Sequence, residues 1–199
     1  MGDHPAQKIP TRASMFARLN DPAQSDAAWS GFVHNYGPVI AAFARSFGAG
    51  ESDVDDIVQE VILGFHSASA RFVYDPSKGS FRGYLRKCAL NSLRERLGER
   101  ARLDTVSLSA LGDDAPQIEQ IWAIEEDRHR FRRALALVKE EYRDSATVRA
   151  FEEFALGGRP AAEVASELGV SLDSVYQAKH RIKEALRKKI DELSAAENV

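Results

Sequence analysis

Glu51 to Arg102 reads ESDVDDIVQEVILGFHSASARFVYDPSKGSFRGYLRKCALNSLRERLGERAR, two helical patterns joined by a turn. On a helix advancing about 100° per residue, Val54, Ile57, Val58, Val61, Ile62 and Phe65 of the first pattern gather on one side, which is the expected core face. Asp56, Gln59 and Glu60 fall opposite, with Leu63 in their midst. Two readings fit that face. It is a solvated acidic surface with one exposed leucine, or it is a docking surface, an apolar anchor ringed by carboxylates and an amide that suits an arginine-rich partner.

Tyr74-Asp75-Pro76-Ser77-Lys78-Gly79 carries turn chemistry at nearly every position. Ser80 is then the expected N-cap of a second helix running to about Leu97. This helix and its flanks hold Lys78, Arg82, Arg86, Lys87, Arg94, Arg96, Arg100 and Arg102 against only Glu95 and Glu99. Phe72, Tyr74, Phe81 and Tyr84 are interleaved with the cations. Cations neutralise phosphates and aromatic faces accept unstacked bases, so the composition suits single-stranded or melting nucleic acid. The plainer alternative makes Phe81, Leu85, Cys88 and Leu93 ordinary core and leaves the arginines solvated.

The order DVDDIVQEVILGF, then RFVYDPSKGSFRGYLRKCALNSLRERL, resembles region 2 of the extracytoplasmic-function (ECF) sigma factors, promoter-specificity subunits of bacterial RNA polymerase in the sigma-70 family. In that family the acidic helix binds the polymerase clamp, and the basic-aromatic helix with its preceding loop recognises and opens the downstream promoter element. Carried over by position, the resemblance implies that Asp56, Gln59, Glu60 and Leu63 face polymerase. It implies likewise that Phe81, Arg82, Tyr84, Arg86, Lys87, Asn91 and Arg94 lie along the promoter strand.

The chain has 199 residues and a formal net charge of -3, enough length for one ordinary domain or two small ones. It is no bulk polycation. Its basic residues are segregated into two stretches, and local patches guide association with nucleic acid. A lone cysteine, Cys88, rules out an internal disulfide and fits a reducing cytoplasm. With no apolar run of membrane-spanning length and no cleavable leader pattern, a cytoplasmic protein without a membrane partner is expected. Helix formers dominate and no alternating strand stands out, so the expected fold class is all-α. Catalysis is not expected. Asp53, Asp55, Asp56 and Glu60 lack a matching ligand set for a metal, the five histidines are scattered, Cys88 has no nucleophile signature, and there is no glycine-rich phosphate loop. Neither metal nor other cofactor is called for.

Upstream, residues 1–20 read as a loose segment, with Met15, Phe16 and Leu19 on one face of a short helix over Thr11 to Leu19. Residues 21–100 form the first lobe. Its opening helix carries Ala28, Trp29, Phe32, Val33, Tyr36, Val39, Ile40, Phe43 and Phe47 at helical spacing, with a kink or break expected at Gly37-Pro38. Residues 101–118, with Asp104, Gly112, Asp113, Asp114 and Pro116 among small side chains, read as a flexible linker.

The second lobe spans residues 119–192. Ile121, Trp122, Ile124, Phe131, Leu135 and Val138 predict one long helix, and Thr147 to Leu156 another. Then Pro160 opens a short helix over Ala161 to Leu168, Gly169 allows a sharp turn, and Ser171 caps a long helix, which is a helix-turn-helix signal. Leu172, Val175, Ala178, Ile182, Ala185, Leu186 and Ile190 fall on the packed side. Gln177 and Arg181 are the expected base contacts, with Ser174, Tyr176 and His180 beside them; Lys179 should lay its stem on the core. The stretch resembles region 4 of the same family, which reads the upstream promoter element.

The function implied is that of a sigma factor directing transcription initiation, with core RNA polymerase and promoter DNA as partners. Many members are held inactive by an anti-sigma protein, a further partner the resemblance implies, although no residue marks its site. The rival readings are a stand-alone helix-turn-helix regulator, which would dimerise on a palindromic operator, and an interaction protein that keeps the fold but binds only a regulator.

Overall fold

The computed structural model describes residues 18–19, 21, 23–69, 80–103, 106–113, 115–142 and 146–198. The readings of the loose amino terminus, of Met15 and Phe16, and of the turn with Phe72, Tyr74 and Lys78 lie outside the described residues. The fold is all-α, with seven α-helices among the described residues: α1 Ser25–Ser46, α2 Glu51–Ser69, α3 Phe81–Leu97, α4 Pro116–Tyr142, α5 Ala146–Phe151, α6 Ala161–Leu168 and α7 Leu172–Asn198. They belong to two units that divide between His129 and Arg130.

The first unit is built on α1, α2 and α3. Val54, Ile57, Val61 and Phe65 are buried as their spacing demands, and Ser80 caps α3 by accepting the Gly83 amide at 3.0 Å. Rings fill the centre. Phe32 stacks on Phe65 at 4.9 Å, Phe65 meets Phe81 at 5.1 Å, and Tyr36 meets Phe81 edge-on at 5.6 Å. Such pairs add about 0.5–1.5 kcal/mol each beyond the area they bury.

Helix α1 runs through Pro38 without the break that was one of the two expected outcomes there. Pro38 and His34 are both exposed, so the carbonyl that loses its partner is on the wet side, while Phe32, Ile40 and Phe43 anchor the helix in the core. Gly48, at φ 84, turns the chain out of α1.

The segment expected to be a flexible linker is packed. Ala101, Leu108 and Ile118 are fully buried in the first unit's core. A two-residue antiparallel pair, β1 Arg102–Leu103 with β2 Val106–Ser107, closes a small hairpin, and the Arg102 amide donates to the Phe47 carbonyl. These apolar side chains are too widely spaced to give a periodic signal, yet each finds a site on the bundle. The first half of α4 follows them: Ile118 and Trp122 are buried there, Trp122 against Phe43 at 5.1 Å. The second lobe, expected from residue 119, begins in the structure at Arg130. Ile124, in the same helix, is exposed.

In the second unit, Ala134 and Val138 of α4 pack with Val148 and Phe151 of α5 and Ile182, Leu186 and Leu193 of α7. A second cluster joins Ala150, Ala161, Val164, Ala165, Val175 and Ala178. After α5 the chain widens into one π-helical turn, Glu152–Leu156, whose start is tied down by Arg159, paired with both Glu153 and Glu167.

Candidate nucleic-acid interface

Asp56, Gln59, Glu60 and Leu63 share one face of α2 through their i, i+3 and i+4 spacing. Leu63 is 55% exposed and Gln59 is exposed as well. The two carboxylates are not simply solvated. Arg96 of α3 donates to Asp56 Oδ2 at 2.7 Å and also to Glu60, and the Ser92 hydroxyl donates to the other Glu60 oxygen. The Ser92 bond, then Arg96, holds the Glu60 carboxyl below its usual range. Arg96 thus ties α3 to the acidic face of α2. Nothing in the sequence ties it to residues 36 and 40 positions away.

Helix α3 sorts its expected contacts by face. Phe81 is the correction: it is 1% exposed, enclosed by Phe32, Tyr36, Phe65 and Tyr84, so its ring is core and not a platform for bases. As the first helical residue it repeats the apolar phase of Leu85 and Leu93, both fully buried, and that phase overrides its cationic neighbours. Tyr84, Lys87, Asn91 and Arg94 follow i, i+3 and i+4 spacing and line one exposed or half-exposed face. Beside it the Tyr84 hydroxyl and the Cys88 thiol interact. Burial, then Cys88, pushes the Tyr84 phenol up to about 12, and burial raises the thiol too.

The arginines of α3 are all engaged. Arg82 forks onto Glu126 of α4, its Nε donating to Oε1 at 2.7 Å. Arg86 pairs with Glu119 at 3.3 Å. Arg94 pairs with Asp113 and donates to the Leu111 carbonyl at 2.8 Å; the guanidinium keeps Asp113 below the usual carboxylate range. With Arg96 on Asp56 and Glu60, each of the four arginines in Phe81–Leu97 faces a carboxylate. Sequence reading missed Asp113, Glu119 and Glu126 because ion pairs 19 to 44 residues apart leave no local trace.

The second unit carries the helix-turn-helix as anticipated. Gly169 sits in the left-handed region at φ 64 after α6, and the Ser171 hydroxyl oxygen accepts the Ser174 amide at 3.1 Å. Ser174 Oγ lies 2.7 Å from Ser171 Oγ, so this hydroxyl belongs to the cap as well. Val175, Ala178, Ile182 and Leu186 are buried. Leu172, expected on the packed side, is 47% exposed: as the first residue of α7 it has no preceding turn to lie against. Tyr176, Gln177, His180 and Arg181 are all exposed along α7. The Gln177 amide donates to Asp173 at 2.6 Å. Tyr176 meets Phe154 of the π-helical turn edge-on at 5.4 Å, and the Lys179 amine stands 5.0 Å over the same ring.

Residues 32–103 match the family model for Sigma-70 region 2. The match is to this region alone, a little over a third of the chain. It is 40% identical over 74 residues to "RNA polymerase sigma factor NccH" of Alcaligenes xylosoxydans xylosoxydans, an overlap of 37% of this chain and 38% of that protein. It is 38% identical over 68 residues to "RNA polymerase sigma factor CnrH" of Cupriavidus metallidurans, covering 34% of each. The chain therefore spans well under half the length of these relatives. A solved structure of CnrH in complex with the cytosolic domain of CnrY is similar over 89% of this chain and 95% of that one, at 22% identity and a TM-score of 0.35. Among the described residues, no helix is long and apolar enough to cross a membrane.

Proposed function

We propose that the chain is a sigma factor of the ECF type, which directs bacterial core RNA polymerase to specific promoters from the cytoplasm. What supports this reading is that the family match, residues 32–103, covers the stretch that carries both candidate faces: the exposed Leu63 with Gln59, Asp56 and Glu60 on α2, and the basic helix α3. The α2 face is the docking site for polymerase. Tyr84, Lys87, Asn91 and Arg94, flanked by Arg82 and Arg86, follow the downstream promoter strand. The helix-turn-helix of α6 and α7 reads the upstream element, with Gln177 and Arg181 on base edges and Ser174, Tyr176 and His180 beside them. Two modest sites on one chain gain affinity through effective concentration. An anti-sigma protein is a further partner that this reading accommodates.

The test is transcription from randomised promoter templates by bacterial core polymerase, with and without this protein. Gln59→Arg combined with Leu63→Ala is the control, since both side chains are exposed and their replacement leaves the core intact. Initiation with the native chain that disappears with the control supports the reading and yields both promoter elements. A folded native chain that gives no initiation, yet binds a palindromic duplex tightly as a dimer, replaces it with the stand-alone regulator.

A further inference from the structure

We infer that the chain masks its own basic helix: Asp113 and Glu119 occupy the positions of nucleic-acid phosphates on Arg94 and Arg86, beside a fixed Arg82–Glu126 pair, and nucleic acid binds this face of α3 only by displacing them. This rests on the proposed role of α3 in contacting the promoter strand.

The pairings form an ordered set. As the arginine number rises through 82, 86 and 94, the partner number falls through 126, 119 and 113, so the acidic stretch runs antiparallel along the helix and meets three of its four arginines. The contacts are of the kind a phosphodiester would make. Arg82 presents Nε and Nη2 side by side to two oxygens of one carboxylate, the fork geometry by which guanidinium groups also grip phosphates. Arg94 is held twice, by the Asp113 carboxylate and the Leu111 carbonyl.

The pairs differ in what the fold requires of them. Glu126 is largely buried, so its pair with Arg82 is part of the packing, and its loss would strand a charge. Glu119 and Asp113 are 71% and 55% exposed. Pairs at that exposure contribute about 0–1 kcal/mol each and are screened by salt. They are weak enough to be exchanged for a polyanion, yet while present they cancel the charge that would draw one in. Arg96 is neutralised from the other side by Asp56 and Glu60, leaving no arginine of α3 without an opposing carboxylate.

The experiment uses the full chain and a short fluorescein-labelled single-stranded DNA, followed by anisotropy at low and at high ionic strength. Asp113→Asn with Glu119→Gln removes two exposed masking charges. Asp26→Asn with Asp55→Asn makes the same change in net charge at exposed positions outside the α3 ion pairs. The masking variant should bind about fivefold tighter than native at low salt, the equivalent of two exposed pairs, and the gain should shrink as salt rises. The control pair should shift affinity less than about twofold. Equal gains for the two variants would reduce the effect to bulk charge and overturn the inference, as would no gain in a masking variant whose unfolding midpoint is native. Lys87→Glu separates this failure from that of the underlying reading. If it weakens binding while the masking variant gains nothing, masking alone is wrong. If it leaves binding unchanged, the proposed role of α3 falls, and the masking with it.

Discussion

Phe81→Ala tests which of two chemistries the first residue of α3 serves. Its ring is almost wholly buried and touches Phe32, Tyr36, Phe65 and Tyr84 within centroid distances of 5.1 to 6.2 Å. Truncating such a ring removes its transfer free energy and leaves a cavity, at a cost of about 3–5 kcal/mol. Loss of several edge and tilted ring contacts favours the middle of that range or above, about 4 kcal/mol. For a unit of roughly a hundred residues this lowers the melting midpoint by roughly 20 °C. Phe81→Leu, which keeps most of the volume, should cost less than about 1.5 kcal/mol. Urea unfolding followed by tryptophan fluorescence reports on the right unit, because both tryptophans, Trp29 and Trp122, pack in its core. A Phe81→Ala midpoint within about 0.5 kcal/mol of native, the range of ordinary surface substitutions, would refute the core assignment and return the ring to the nucleic-acid face.

Other expectations follow from the same geometry. Glu60 has a folded pKa below its unfolded value, so its contribution to stability is present above the unfolded carboxylate pKa and fades as pH falls through the folded one. The stability gap between native and Glu60→Gln, no more than about 1 kcal/mol at neutral pH for so exposed a group, should therefore narrow in urea titrations as the pH falls below the ordinary carboxylate range. Ultraviolet titration of the tyrosines should find one phenol ionising near 12, and Tyr84→Phe should remove that component. Gly169→Ala places a side chain at φ 64 in open space, so backbone strain alone sets the cost, about 1–2 kcal/mol, measurable as a lower thermal midpoint of the helix signal in circular dichroism.

Local chemistry made much of this fold legible. The alternation of Val54, Ile57, Val61 and Phe65, the Ser80 and Ser171 caps, and the glycine turn at Gly169 each rest on a spacing of four residues or fewer, and each appears where the sequence puts it. What escaped reading depends on distant partners. The chain from Ala101 to Ile118 looks unstructured because its apolar residues are sparse, yet Ala101, Leu108 and Ile118 each enter a core assembled from other helices. Phe81 stands among cations and aromatics in the sequence, and only the convergence of α1 and α2 makes its site interior. The face of α2 was legible as composition, but not its tie to Arg96 and Ser92, which requires α3 to cross it at one particular height.

The half-buried Cys88 gives this chain a built-in clock. Its thiol interacts with the Tyr84 hydroxyl and burial pushes its pKa up, whereas alkylating reagents attack the thiolate. With no second cysteine in the sequence, every alkylated thiol marks one known place on α3. The rate of labelling in the native chain thus reports how open that place is to reagent. Compared with and without a bound oligonucleotide, it turns coverage of the helix into a count of labelled protein by mass.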